Sequence, residues 1–93
     1  MVIGLCTVEL RVPMSNSLKH KRGVIKSLIA KLKNRFNISV AEIEQNDNLK
    51  LATIGIVTIS NQRQQVERSL EKVVRFIEDF NDIYLLKDTM ELI

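Results

Sequence analysis

Two stretches of this chain repeat apolar residues at helical spacing, and each lies between runs of strand-forming residues. The first carries Leu18, Ile25, Leu28, Ile29, Leu32 and Phe36 on one side over about five turns. The second does the same with Val66, Leu70, Val73, Val74, Ile77 and Phe80. Ahead of them Val2 to Val12 is rich in β-branched residues and stops at Pro13, which cannot donate to a ladder. Between them Ile38 to Glu44 and Leu49 to Ser60 read as strands joined by a hairpin turn at Gln45-Asn46-Asp47-Asn48. Ile83 to Leu92 reads as a fourth strand. The order β-α-β-β-α-β predicts an α+β, ferredoxin-like fold. Right-handed crossovers then place both helices on one face of a four-stranded antiparallel sheet. Ser15-Asn16-Ser17 offers caps for the first helix and Asn61 a cap for the second. Gly23, inside the first helix, costs about 1 kcal/mol relative to alanine and is expected to mark close packing.

Ninety-three residues are read as one domain, 1–93, with a thin core that a subunit partner would help to close. Alternation in the first strand sets Val2, Gly4, Cys6, Val8 and Leu10 against Ile3, Leu5 and Thr7. The third strand sets Leu51, Val57 and Ile59 against Ile54 and Ile56. Whichever side the helices cover, the other is too apolar to face water comfortably, which predicts a homodimer or another partner over the open face. No run approaches the roughly 20 apolar residues of a membrane span. The apolar start reads as a strand rather than a signal peptide, and a lone cysteine fits a reducing, cytoplasmic setting.

Charge is distributed very unevenly along the chain. Between Leu10 and Ala41 there are eight basic side chains and no acid, so this third stands near +8 and the remainder near −5. A concentrated positive field attracts polyanions whatever fold lies beneath it. Lys19, His20, Lys21 and Arg22 crowd the start of the first helix, where the dipole disfavours cations by roughly 0.3–1 kcal/mol each. The first-turn amides, the hydroxyls of Ser15 and Ser17 and the nearby cations together suggest an anion site suited to phosphate. Lys19, Arg22, Lys26 and Lys33 fall within about 60° on the helical wheel, a stripe able to follow a nucleic-acid backbone. Lys31 and Arg35 lie on the other flank and are expected to stay solvated. In the second helix, Glu71 with Arg75 and Arg75 with Asp79 stand at i,i+4, the pattern of a solvated, self-neutralised face.

The residues give little support to an enzyme, a metal centre or a bound cofactor. His20 is the only histidine and stands among cations. Cys6 falls mid-strand on the expected core face, where a thiol serves as a small hydrophobe. No C-x-x-C is present, and Arg68 and Arg75 intervene among Glu67, Glu71 and Glu78. The loop Pro13 to Leu18 lacks both the glycines and the arginine of an acylphosphatase-type phosphate loop. The two central strands carry no aromatic residue, and no GXXG loop is present, so base-reading of the RRM or KH kind has no residues to perform it.

Ser17-Leu18-Lys19-His20-Lys21-Arg22, followed by Asn34-Arg35-Phe36-Asn37-Ile38-Ser39-Val40-Ala41-Glu42, resembles the YlxP-like family of small bacterial proteins. The resemblance covers essentially the whole chain. It implies a ferredoxin-like fold, a cytoplasmic location and a gene neighbourhood of translation and ribosome-maturation factors, and it implies no particular activity. The chain departs from the family pattern at His20, where relatives often carry glutamate, and at Leu49, where they often carry tryptophan. No aromatic therefore stands at that hairpin position to stack on a base. Together, charge and resemblance predict a non-catalytic protein that contacts RNA or a ribosomal particle through Ser15, Ser17, Lys19, Lys21, Arg22, Lys26 and Lys33. The competing expectation is a dimeric interaction or regulatory module that pairs through the open sheet face and takes a small anionic ligand.

Overall fold

The computed structural model describes residues 1–93 and contains β1 (Val2–Arg11), α1 (Leu18–Arg35), β2 (Ser39–Glu44), β3 (Leu51–Ser60), α2 (Arg63–Glu78) and β4 (Tyr84–Leu92). The strands form one antiparallel sheet in the order β2-β3-β1-β4, the ferredoxin-like arrangement the sequence predicts. Strands β1 and β3 hold the centre, pairing along their full length from Val2↔Ser60 to Arg11↔Leu51.

Side-chain alternation decides which face the helices cover. Gly4, Cys6, Val8 and Leu10 of β1 and Ala52, Ile54 and Ile56 of β3 are buried beneath them. From above, α1 contributes Ile25, Leu28 and Leu32, and α2 contributes Val66, Leu70, Val73 and Ile77. Apart from Gly4, these residues belong to one cluster of sixteen buried apolar side chains. Removing each large aliphatic from water contributes about 1.5–3 kcal/mol, which is what seats the helices.

Several boundaries differ from expectation for local reasons. The hairpin loop is longer, because Asn48 Oδ1 accepts the amides of Lys50 and Leu51 at 2.9 Å and delays β3 to Leu51. Ser17, not its neighbours, caps α1, accepting from the His20 amide at 3.1 Å. Helix α2 starts after Gln62 rather than Asn61 and has no side-chain cap; Ser60 Oγ takes the Gln62 amide instead. The i,i+4 pairs expected around Arg75 do not close, whereas Arg63 and Glu67 meet at 3.1 Å.

Gly23 does not mark close packing. It is exposed, and a β-carbon added there would meet nothing within 4 Å. Gly23→Ala is therefore expected to raise stability by about 0.5–1 kcal/mol through helix propensity alone. An unchanged or lower urea midpoint would contradict that.

The sheet face away from the helices carries an apolar row at one end. Ile3 pairs with Ile59 on one side and exchanges backbone hydrogen bonds with Ile93 on the other. Ile59 is 60% exposed and Ile93 71% exposed. Leu5 and Val57 form the adjacent pair, and Ile43 lies over Gly55.

Candidate nucleic-acid interface

Helix α1 sorts its cations into three environments. The buried stripe follows positions 21, 25, 28 and 32, so Lys21 occupies the place where an aliphatic would continue the pattern. It is fully buried. Its ammonium stands 3.2 Å from Glu42 Oε2 of β2 and donates to the backbone carbonyl of Gln45. The contact to Glu42 is a charge contact outside hydrogen-bond geometry, and that carboxylate oxygen has no hydrogen-bond partner. Gln45 itself has φ 66°, in the left-handed region, so Lys21 holds the entry to the hairpin in a conformation few side chains adopt.

The second environment is an exposed flank. Lys19, Arg22, Lys26 and Lys33 all face solvent, and α1 carries no acid anywhere along its length. Arg22 alone has a carboxylate nearby, Asp47 at 3.9 Å, with both groups largely exposed. A pair of that kind contributes little and is easily exchanged for another anion. Lys33, in the last turn, suits the negative end of the helix dipole without any partner. Lys19 and Arg22, in the first turns, gain nothing of the kind.

The third environment is the opposite flank, facing α2. Lys31 Nζ lies 5.1 Å from the centre of the Phe80 ring, and the Arg35 guanidinium 5.5 Å from that of Phe76. These two remain exposed, as expected, but they rest on aromatic rings rather than extending freely into solvent.

The expected set of contact residues is therefore corrected in three places. Lys21 is consumed by Glu42 and Gln45 and presents no charge at the surface. Ser15 is buried, and its hydroxyl donates to the Ser17 carbonyl at 3.1 Å. Ser17 Oγ accepts from the His20 amide, which takes that first-turn donor away from an incoming anion. A phosphate site that uses both hydroxyls and that amide at the helix start is thus not presented. Lys19, Arg22, Lys26 and Lys33 stand together on the surface.

Cys6 lies where the alternation placed it, with no exposure. Burial pushes its thiol up from the ordinary 9.0 to about 11, and the Asp88 carboxylate adds to the effect. A raised folded-state value favours the neutral thiol in the fold. The stabilisation this gives is complete below about pH 9 and is lost as pH rises through 11. The stability difference between the wild type and Cys6→Ala should hold steady up to pH 9 and shrink between 9 and 11. A gap that stays constant over that range would show that the thiol titrates alike in both states.

Residues 3–90 match the model of DUF503, described as a protein of unknown function. The chain belongs to this family. It is 35% identical over 82 residues to the uncharacterized protein YlxP of Bacillus subtilis (strain 168), covering 88% of this chain and 89% of that protein. Among solved structures, the de novo designed protein Foldit4 is similar with a TM-score of 0.51 at 16% identity, covering 98% of this chain and 93% of the other, a likeness of fold alone. A REP-associated tyrosine transposase bound to a REP hairpin aligns with a TM-score of 0.46 at 14% identity, over 98% of this chain and 55% of that one. For this member of the family, the YlxP-like resemblance read from the two motif strings is thereby established. No helix is long and apolar enough to cross a membrane.

Proposed function

We propose that this protein is a non-catalytic, cytoplasmic RNA-contacting factor acting in ribosome maturation or translation, and that the exposed flank of α1 is its contact surface. The observation that carries the reading is the exposure of Lys19, Arg22, Lys26 and Lys33 on a helix without acids. They extend over about 21 Å of helix at 1.5 Å per residue, enough to engage several phosphates of one backbone. Contact of this type fixes position and reads shape rather than sequence. The translation setting is what the family resemblance implies; the preference for a polyanion follows from the charges.

The test is binding to ribosomal particles or structured RNA across a salt series, comparing the wild type with Arg22→Glu/Lys26→Glu/Lys33→Glu. All three positions are exposed, so the variant should fold normally. Four phosphate contacts predict a log–log salt slope of about −3 to −4 for the wild type, flattening in the variant. Equal and negligible binding by both proteins at low salt would remove the reading.

A second reading is favoured by the apolar row of half-buried Ile3 with exposed Ile59 and Ile93: a dimeric interaction module that pairs through the open sheet face. Under this reading Ile59→Lys converts a dimer to a monomer in sedimentation equilibrium. A wild type that stays monomeric up to its solubility limit would exclude it.

A further inference from the structure

A groove of about 850 Å³ opens between the C-terminal end of α1 and one side of α2. Arg35 reaches it from α1, and Lys72 and Arg75 reach it from α2. None of the three has a carboxylate within 4 Å, since the ion pairs of the molecule are Lys21–Glu42, Arg22–Asp47 and Arg63–Glu67. Asp79 is the one carboxylate on the groove wall, which leaves the lining two charges positive. Uncharged donors, among them Gln65 and Ser69, line the same space.

The groove is also braced. Phe36 meets Phe76 edge-on, with ring centres 5.9 Å apart and planes at 82°. Arg35 lies over the same Phe76 ring. A guanidinium already resting on an aromatic face loses less freedom when it captures an anion. Two arginines offer paired N–H groups that match phosphate oxygens, and the lysine adds a point charge. The volume lies within the roughly 300–1,000 Å³ of small-molecule sites.

We propose that this interhelical groove is a second anion site, distinct from the α1 flank, that takes the phosphate of a nucleotide-sized ligand. Arg35 and Arg75 hold the phosphate oxygens, Lys72 balances their charge, and Gln65 and Ser69 offer hydrogen bonds to the remainder. The ligand is either a free nucleotide or one nucleotide unit of a single RNA strand. The proposal stands whether or not the α1 flank binds RNA.

The test is an NMR titration of the whole protein with adenosine monophosphate, with inorganic phosphate and with a short single-stranded RNA. The readouts are the arginine Nε–H signals and the Ser69 and Arg75 amides. Groove signals are expected to move with the nucleotide or the RNA, and more weakly with inorganic phosphate. Saturation by the mononucleotide assigns the free ligand, and response to the strand alone assigns RNA. Arg35→Gln and Arg75→Gln should each weaken binding by about tenfold, the usual loss of one charge-assisted contact. Lys87→Gln, at an exposed cation of β4 paired in register with Glu9 and outside both candidate surfaces, should change it by less than about twofold. No movement of the groove signals with any of the three probes would overturn the proposal. An equal loss in the Lys87 variant would also overturn it, since that reports general charge attraction.

Discussion

Replacing Lys21 with methionine is expected to destabilise the protein by about 3 kcal/mol, the lower end of the range for breaking a buried ion pair. Methionine fills nearly the same space, so the loss comes from the charge and its hydrogen bond. Glu42 would be left mostly buried and facing an apolar side chain, and the Gln45 carbonyl would lose its donor. The Glu42 side chain retains 14% exposure, so water compensates part of the loss. Glu42→Leu alone should be similarly damaging, because it strands the ammonium instead. The double variant Lys21→Met/Glu42→Leu should recover most of the stability, since apolar replacements of a whole buried pair are often neutral or better. Urea denaturation of the four proteins closes the cycle, with an expected coupling of at least about 2 kcal/mol. A Lys21→Met loss below about 1 kcal/mol would show that the pair is solvated and that Lys21 remains available to ligands. The double variant also separates structure from function: its RNA salt slope should match that of the wild type.

The place of Lys21 was legible in the sequence, although its charge pointed elsewhere. The apolar positions Ile25, Leu28 and Leu32 extrapolate backwards by four residues to position 21, and Glu42 shares a strand face with buried Val40. Periodicity therefore put both members of the pair on the core side, whereas counting cations put Lys21 at the surface. Cys6 shows the same rule without a competing signal, and alternation alone placed it. The order of elements followed from periods of 2 and 3.6 in the same way, whereas two apolar sides left open which face of the sheet the helices cover. What the sequence does not carry is what stands opposite a residue across the fold. Lys31 and Arg35 read as solvated because nothing along the helix shows that Phe80 and Phe76 of α2 lie beneath them. The interhelical groove is hidden for the same reason, as Arg35 and Arg75 are forty residues apart in the chain and neighbours only in space. The glycines confirm the point, because the close approach occurs at Gly4 and not at Gly23.

Gly4→Ala should destabilise the protein by about 2 kcal/mol, within the range for overpacking a filled core. A β-carbon at Gly4 would lie 2.3 Å from Val66 Cγ1 and 2.8 Å from Leu70 Cδ1. Both neighbours are buried on α2, so they cannot swing into solvent. The intrinsic preference of a strand for alanine over glycine offsets only about 0.5–1 kcal/mol of the clash. Relief has to come from α2 lifting off β1, and that helix also carries Lys72 and Arg75 of the interhelical groove. Val66→Ala on its own should cost about 2 kcal/mol by leaving a cavity. Combined, the two changes should cost less than their sum by at least about 1 kcal/mol, because the added methyl occupies space the deletion vacates. Simple additivity in the thermal or urea midpoints would mean that α2 is not seated on Gly4. Coupling of the expected sign would identify Gly4, rather than any residue of the helix itself, as what sets the distance between α2 and the sheet.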